Sequence, residues 1–221
     1  MDALAGGRRG DDHRDGVERE ERAADHRGAV EQGKIDLQAD VNTYLTGFQI
    51  PDTYPQPITM LDLMSHTAGF GEISWHPGKI ALEELNSLEE FLKEYMPARV
   101  YPPGQVPAYS NYGTSLAGYI VEQVSGEPYE QYVETHILGP LGMRHSTMRQ
   151  PLPAELAQNM SQSYLFNDGS YQPFPFPRVY NPPAGVLAAS GTDMGYIQNR
   201  CRGTGWFRRP LQQPGKSFET V

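Results

Sequence analysis

The stretch Ile-Thr-Met-Leu-Asp-Leu-Met-Ser-His-Thr-Ala-Gly-Phe, residues 58–70, joins a helix start, a short apolar run and a loop. Thr59 stands directly before the apolar run that begins at Met60, which is the N-cap position where a threonine hydroxyl can accept a backbone N–H. The segment from His66 to Gly69 follows the run as a loop that ends in glycine. We therefore predict a short helix that begins at Met60 and stops at this loop.

Two further helices are predicted downstream of that stretch. The first ends before Pro97 and has apolar residues at three- and four-residue steps, namely Leu82, Leu85, Leu88, Leu92 and Tyr95. The second follows the Tyr109-Ser110-Asn111 turn and has one apolar face. It is expected to end at Gly126, because glycine adopts the left-handed conformation that commonly closes a helix.

The rest of the chain predicts one more clear helix and few strands. That helix runs from about Pro128, since proline suits a first helical position, to Leu138. Gly139-Pro140 and Gly142 are expected to break the chain after it. The best strand candidates are short pieces near residues 163–166, 170–174 and 184–188.

Composition and charge exclude several classes of protein. With 38% hydrophobic and 20% charged residues, the chain is typical of a globular protein. Its formal net charge of −9 repels phosphate backbones, so we expect no nucleic-acid partner. No apolar run reaches the roughly 18 residues of a transmembrane helix. No signal peptide is visible at the N-terminus, so localisation is left open, and the single cysteine, Cys201, excludes an internal disulfide.

The chain divides into three zones of different character. Residues 1–29 are dense in Arg, Asp, Glu and His, and they cannot bury enough apolar surface to offset the entropy of ordering. We therefore predict a disordered or out-of-frame tail there and a folded domain over residues 30–198. Residues 199–221 are dominated by Arg, Gly, Gln and Pro and show no period, so an irregular or non-native tail is expected.

Several short segments follow one another in the folded zone in a recognisable order. They are Val-Glu-Gln-Gly-Lys-Ile-Asp-Leu (30–37), the 58–70 stretch, Tyr-Pro-Pro-Gly (101–104), Tyr-Ser-Asn-Tyr-Gly (109–113), Pro-Leu-Gly-Met (140–143) and Pro-Ala-Gly-Val (183–186). As an ordered set they resemble the β-lactamase-related serine hydrolases. That family includes penicillin-binding proteins, class C β-lactamases, D-alanyl-D-alanine carboxypeptidases and related esterases.

The resemblance implies an α+β protein with the β-lactamase/transpeptidase-like fold, incomplete here, with mainly its helical part and few short strands. It also implies that the serine of a Ser-x-x-Lys motif attacks an acyl carbon and that water then hydrolyses the acyl-enzyme. Tyr109 matches the catalytic tyrosine that shares the proton transfer, and Asn111 matches the asparagine that binds the substrate amide. His66 belongs to a structural loop of the family. The implied substrate is a small-molecule or peptide acyl compound (a β-lactam, a D-alanyl peptide or an ester), with no cofactor.

Two parts of the family pattern are absent from the sequence. No serine is followed three residues later by lysine, and no Lys/His-x-Gly occurs late enough to serve as the third motif. The histidines show neither His-x-His nor His-Glu-x-x-His spacing, so no metal site is predicted. We therefore expect a truncated serine hydrolase that is inactive as written. The alternatives are a non-catalytic binding or scaffold protein of the same fold, and a fragment that does not fold stably without its sheet.

The first zone lies where the nucleophile helix is expected, just before Val30. The codons for Gly-Val-Glu-Arg-Glu-Glu (16–21), translated one nucleotide later, can spell Gly-Ser-Ser-Val-Lys, which contains a Ser-x-x-Lys motif. The same shift through residues 22–29 permits a mostly apolar helix. We hypothesise that residues 1–29 are an out-of-frame translation of a normal N-terminal region, the alternative being a genuine disordered tail.

Overall fold

The computed structural model describes residues 33–72, 87–174 and 182–202, with side chains through residue 198. Its elements are helices α1 (Met60–Met64), α2 (Leu88–Glu94), α3 (Asn111–Ser125), α4 (Tyr129–Val133), α5 (Ala154–Ala157) and α6 (Gly191–Arg202), and strands β1 (Ser163–Asn167) and β2 (Ser170–Phe174). Short 3-10 turns lie at Val41–Tyr44 and Pro182–Ala184. None of the helices within these ranges has the length and apolar character needed to cross a membrane.

Helix α1 begins where predicted because Thr59 and Asp62 cap it reciprocally. Thr59 Oγ1 accepts the Asp62 N–H at 3.2 Å, and Asp62 Oδ2 accepts the Thr59 N–H at 3.0 Å. This capping box satisfies N–H groups that have no partner within the first turn of a helix. The helix ends at Met64, ahead of the loop that begins at His66, so the predicted start and stop are both confirmed.

Helix α2 is shorter than the helix predicted over residues 82–95. Ser87 has an extended backbone and caps the helix by accepting the Glu90 N–H at 3.1 Å, so the described helix begins at Leu88. Residues 82–86 of the prediction lie outside the described residues. The helix ends at Glu94, ahead of Pro97 as expected.

A carboxylate on α2 binds both its own helix and α3. Glu89 accepts a hydrogen bond from the Tyr119 hydroxyl at 2.6 Å and pairs with Lys93 at 2.5 Å. The hydrogen bonds from Lys93 and Tyr119 lower the pKa of Glu89, while burial acts in the opposite direction. Burial, with this carboxylate next to it, raises the pKa of Tyr119 well above its ordinary value. Tyr119 therefore stays a protonated donor between the two helices.

A second carboxylate lies near the end of α3 and has the opposite titration behaviour. Glu122 accepts the Tyr129 N–H at 3.0 Å and so connects α3 to the start of α4. Burial raises the pKa of Glu122 because it disfavours the charged form. The hydrogen bond from Tyr129 lowers it, and the nearby charges of Glu130 and Glu89 raise it further.

Helix α3 forms the centre of the larger apolar cluster. Ser110 caps its start by accepting the Gly113 N–H at 3.1 Å, and Gly126 ends it with a left-handed φ of 75°, as predicted. Every residue from Tyr112 to Val121 is buried. The cluster joins α3 to α1, α2 and the segment before α1, and it includes Ile35, Val41, Leu45, Ile50, Met60, Leu63, Phe70, Phe91, Leu92, Leu116 and Ile120.

The chain after α4 stays helical farther than predicted. Residues Glu134–Leu138 form a wider, π-helical turn, and Gly139–Leu141 add one more α-helical turn. The expectation that Gly139-Pro140 break the chain is wrong: the Gly139 N–H donates to Glu134 O in the π-helical turn, and Pro140, which has no N–H, stands at the start of the α-helical turn that follows. The helix ends instead at Gly142, whose φ of 71° is left-handed.

The sheet in the described part of the chain is a single antiparallel hairpin. In it, β1 pairs with β2 so that Ser163 lies opposite Phe174, and the strands predicted near 163–166 and 170–174 are confirmed. The strand predicted near 184–188 is wrong. A 3-10 turn occupies Pro182–Ala184, and Ala188 makes an isolated bridge to Thr147. Ala184, the first residue of the expected strand, belongs instead to that turn, which packs against α3.

Helix α6 belongs to a second, smaller apolar cluster. Ile197 belongs to it together with Val133 of α4, with residues of the helical turns after α4 (Ile137, Leu138 and Leu141), and with Met143, Met148 and Val186. The helix continues to Arg202, so residues 199–202 are helical and the irregular structure expected for them is wrong. Residues 203–221 lie outside the described residues, and the domain limits themselves stay a prediction.

Candidate active site

Two loops that are distant in sequence pair side by side and form the floor of the candidate site. Five backbone hydrogen bonds join them: Gly71 N–H to Ala98 O (2.8 Å), Val100 N–H (2.7 Å) and Tyr101 N–H (3.3 Å) to Gly69 O, Gly104 N–H to Thr67 O (2.9 Å) and Ala108 N–H to His66 O (2.8 Å). The 58–70 and 101–104 segments of the sequence pattern are therefore in direct contact. The chain that leaves this pair of loops enters α3 through Tyr109.

Residue 69 in the first loop must be glycine for two reasons. Its φ is +79°, which L side chains rarely adopt. A Cβ atom there would also lie 1.9 Å from the carbonyl oxygen of Tyr101. The close approach of the two loops thus depends on the absence of a side chain at residue 69.

Arg99, in the second of these two loops, lies close to two aromatic rings. Its guanidinium carbon is 5.4 Å from the Tyr54 ring centroid and 5.7 Å from the Phe70 ring centroid, within the range of a cation–π contact. Burial lowers the pKa of Arg99, and the neighbouring Tyr54 and Asp62 raise it. Its Nε and Nη2 atoms are buried and have no hydrogen-bond partner among the described residues.

Tyr109 and Asn111, the two predicted site residues, are hydrogen-bonded to each other. The Tyr109 hydroxyl donates to Asn111 Oδ1 at 3.1 Å. Asn111 is the first residue of α3, and Ser110 between them is buried and caps that helix. Tyr109 keeps 44% of its surface exposed. The pair therefore lies at an accessible helix start, and the roles of its two members stay predictions.

Glu72 joins this pair, and the sequence offered no signal that it would. Asn111 Nδ2 donates to Glu72 Oε1 at 2.9 Å, so hydroxyl, amide and carboxylate form one chain of hydrogen bonds. Glu72 lies two residues beyond the end of the 58–70 stretch, and no residue pattern distinguishes it there. The carboxylate is exposed, so solvent and ligands can reach it.

His66 contacts the turn that carries the pair, consistent with the structural-loop role that the resemblance implies. Its Nδ1 accepts the Ser110 N–H at 3.3 Å, and its ring centroid lies 4.8 Å from that of Tyr109. Its backbone φ is 57°, in the left-handed region. His66 is thus held by its backbone and its side chain against the start of α3.

The chain that follows the 140–143 segment meets the chain that follows the 183–186 segment. Thr147 and Ala188 exchange two backbone hydrogen bonds of 2.9 and 3.0 Å. Asp193 on α6 is buried and accepts the His145 N–H at 2.7 Å and the Ser146 hydroxyl at 2.8 Å. These contacts anchor α6 to the chain after α4. Across the described residues, no three His, Cys, Asp or Glu side chains converge so that they could hold a metal ion.

Curated proteins share part of this sequence. Penicillin-binding protein PbpX of Bacillus subtilis is 33% identical over 129 residues, which are 56% of this chain and 30% of that protein. A D-alanyl-D-alanine carboxypeptidase of Salmonella schwarzengrund is 33% identical over 132 residues, with the same coverage of 56% and 30%. The matched region is thus 30% of the length of these curated relatives.

Solved structures and a family model match more of the chain. A β-lactamase/D-alanine carboxypeptidase from Pseudomonas syringae has a TM-score of 0.71 at 22% identity. The match covers 89% of this chain and 52% of the Pseudomonas chain. An octameric penicillin-binding protein homologue from Pyrococcus abyssi has a TM-score of 0.69 at 25% identity, covering 83% and 43%. These likenesses confirm the predicted β-lactamase/transpeptidase-like fold. Because the model of the beta-lactamase family matches residues 28–198, the chain belongs to that family.

Proposed function

We propose that this chain is part of a serine hydrolase that transfers acyl groups to water through an acyl-enzyme. The observation that carries the proposal is the hydrogen-bonded pair of Tyr109 and Asn111 at the exposed start of α3. A phenol and an amide at an accessible site supply a proton-transfer group and a donor for a substrate carbonyl. The names of the relatives support a D-alanyl peptide or a β-lactam as the substrate class.

In this proposal Tyr109 is the catalytic residue and Asn111 binds the substrate. The tyrosine exchanges protons with the attacking hydroxyl and with the leaving group, which requires its oxygen to face the reacting atoms. The asparagine holds the acyl amide of the substrate beside it. The nucleophile is the serine of a Ser-x-x-Lys motif, which the sequence as written does not contain. We therefore expect the chain as written to form no acyl-enzyme.

The second candidate function is a non-catalytic binding or scaffold protein. It is favoured by the same absence of Ser-x-x-Lys. In that case the Tyr109–Asn111 pair would still bind an acyl amide, but no covalent intermediate would follow. The two candidates differ in chemistry rather than in fold, so a covalent probe separates them.

The decisive experiment combines resequencing of the coding DNA with covalent labelling. A single-base correction before the codon for Val30 that restores Gly-Ser-x-x-Lys would support the hydrolase. The corrected protein should then react with a fluorescent penicillin or a fluorophosphonate at that serine, as located by peptide mass spectrometry. Tyr109→Phe should slow this acylation by about 10²-fold or more, the usual contribution of a positioned proton-transfer group.

The labelling result also tests the second candidate, the non-catalytic binding or scaffold protein. If resequencing confirms residues 1–29 as written and neither probe labels the chain, the non-catalytic candidate is supported. Covalent labelling of the chain as written would refute our expectation that it lacks a nucleophile. Asn111→Ala is the matched variant for substrate binding. It should raise the probe concentration needed for half-maximal labelling without removing the proton-transfer group.

A further inference from the structure

We propose that His66 is a positioning residue that orients Tyr109 and Asn111 through the tautomer with its proton on Nε2. The inference rests on the proposed function for the roles of those two residues, but its geometry does not depend on them. His66 contacts three successive residues of the turn before α3. Its carbonyl oxygen accepts from Ala108, its ring contacts Tyr109 and its Nδ1 accepts from Ser110.

The backbone at His66 is of a kind that normally selects glycine. The Thr67 N–H donates to Asp62 O at 2.8 Å and the His66 N–H donates to Leu63 O at 3.2 Å, which are the two hydrogen bonds of a Schellman motif that closes α1. Glycine is the usual residue at the left-handed position of this motif, because other residues are strained there. Closure of α1 therefore does not call for a side chain at residue 66. The imidazole instead contacts Ser110 and Tyr109 on the turn before α3.

The hydrogen bond at Nδ1 determines where the imidazole carries its proton. A backbone N–H can only donate, so Nδ1 must be the unprotonated acceptor and a neutral ring carries its hydrogen on Nε2. If His66 took up a proton at Nδ1, two N–H donors would face each other and the hydrogen bond from Ser110 would be lost. His66 therefore acts through the turn and is not itself a proton acceptor at that atom.

The contact is effective because Ser110 is held on two sides. Its amide donates to His66 Nδ1, and its hydroxyl oxygen accepts the Gly113 N–H at the start of α3. Tyr109 and Asn111 are the neighbours of Ser110 in the chain, so fixing Ser110 fixes the direction of both. The ring of His66, 4.8 Å from the Tyr109 ring, adds a packing contact that restricts rotation of the phenol.

The first test is NMR on the unmodified protein and needs neither catalysis nor folding of a variant. Long-range proton–nitrogen spectra of the His66 ring should show an unprotonated Nδ1 and a protonated Nε2. A ring protonated at Nδ1 at neutral pH would overturn the proposal. Because no substrate or labelling is involved, this result is independent of whether the chain proves to be a hydrolase.

A pair of substitutions tests the positioning role. His66→Gly keeps the left-handed backbone but removes the ring, so the Ser110 amide should exchange with solvent at least tenfold faster and the Tyr109 ring resonances should shift. His66→Asn offers Oδ1 near the place of Nδ1 and tolerates the left-handed backbone, so it should restore the protection of Ser110. In a catalytically competent protein, His66→Gly should lower kcat more than it raises KM, with His66→Asn recovering most of the loss.

Two outcomes would refute this role. One is unchanged exchange of the Ser110 amide together with unchanged Tyr109 resonances in His66→Gly. The other is equal loss of Ser110 protection in both variants, because then the acceptor at the Nδ1 position would not matter. The slope of the urea transition should be the same in His66→Gly as in the parent, which separates a local effect on the turn from a general loss of structure.

Discussion

Replacing Gly118 by alanine would place a methyl group against Pro183 in the middle of α3. A Cβ atom there would lie 2.3 Å from Pro183 Cγ, 2.6 Å from Pro183 Cβ and 3.2 Å from Tyr129 Cε2. All three distances are shorter than ordinary carbon contacts of about 3.5–4.0 Å. The proline ring is closed onto its own backbone and cannot rotate away. Relief therefore requires the 3-10 turn at Pro182–Ala184 to move off α3.

Two opposing contributions set the size of the effect. Alanine in a helix interior is favoured over glycine by about 1 kcal/mol. Overpacking a close-packed site costs about 1–3 kcal/mol, and the upper part of that range applies because the neighbour is a rigid ring. We therefore expect Gly118→Ala to lower the free energy of unfolding by about 1–2 kcal/mol, the difference of these two terms.

Gly113 provides a matched control in the same helix. A Cβ atom there would lie 3.6 Å from both Ser110 Cβ and Ser110 Oγ and 3.8 Å from Leu63 Cδ2, which are ordinary contacts. Gly113→Ala should therefore raise the free energy of unfolding by about 0.5–1 kcal/mol, the helix-propensity gain alone.

Urea unfolding followed by far-ultraviolet circular dichroism measures both variants. The expected result is a lower midpoint for Gly118→Ala and a higher one for Gly113→Ala, with the slope of the transition unchanged. If both substitutions raised the midpoint equally, the turn at Pro182–Ala184 would not lie against α3. A broad, non-cooperative transition in the parent protein would instead show that the chain lacks a single packed core.

Further predictions concern ionisation and the loop pair. The pKa of Glu122 is raised by burial, so its favourable contribution is complete below the unfolded pKa and is lost as pH rises through the folded pKa. Glu122→Gln should therefore match or exceed the parent in stability at pH 7, and this advantage should vanish near pH 4, as measured by urea midpoints. The pKa of Glu89 is lowered by its hydrogen bonds, so its contribution is present above the unfolded pKa and is lost as pH falls through the folded pKa. Glu89→Gln should destabilise at pH 7 but not at pH 3, and equal losses at both pH values would contradict the assigned partners. Gly69→Ala should cost more than about 3 kcal/mol in the same assay, since a left-handed backbone and a severe clash add. Gly33→Ala, with a φ of +69° and no atom within 4 Å of its Cβ, should cost only about 1 kcal/mol from its left-handed backbone.

The elements that the sequence predicts well are those whose determinants are local. The capping box of α1 needs only Thr59 and Asp62, and the end of α3 needs only Gly126. The π-helical turn before Gly139 was missed because its wide spacing leaves no distinct apolar period. Residues 184–188 resemble a strand in sequence because a short apolar run fits several backbone conformations, and the contact of the turn at Pro182–Ala184 with α3 decides among them.

In the candidate site, too, the sequence predicts what depends on neighbouring residues and misses what depends on tertiary contacts. Tyr109 and Asn111 could be predicted because they stand in one short motif at a helix start. Glu72 could not, because it is separated from Asn111 by 39 residues and meets it only through the pairing of two loops. The hydrogen bond from Ser110 to His66 spans 44 residues and depends on the left-handed backbone at the end of α1. Sequence reasoning finds such a histidine but does not determine which ring nitrogen is engaged.

The hydrogen bonds of Asn111 determine which of its groups remain for a substrate. Tyr109 donates to Oδ1 and Glu72 accepts from Nδ2, so both contacts require the same orientation of the amide. A flipped amide would place its oxygen against the Glu72 carboxylate, and that contact would become repulsive, whereas the Tyr109 hydroxyl could turn and accept from the amide nitrogen. The amide nitrogen carries two hydrogens, and Glu72 takes one of them. In the proposed function the second donates to an acyl carbonyl without disturbing either contact, so the start of α3 would receive an amide carbonyl rather than an N–H.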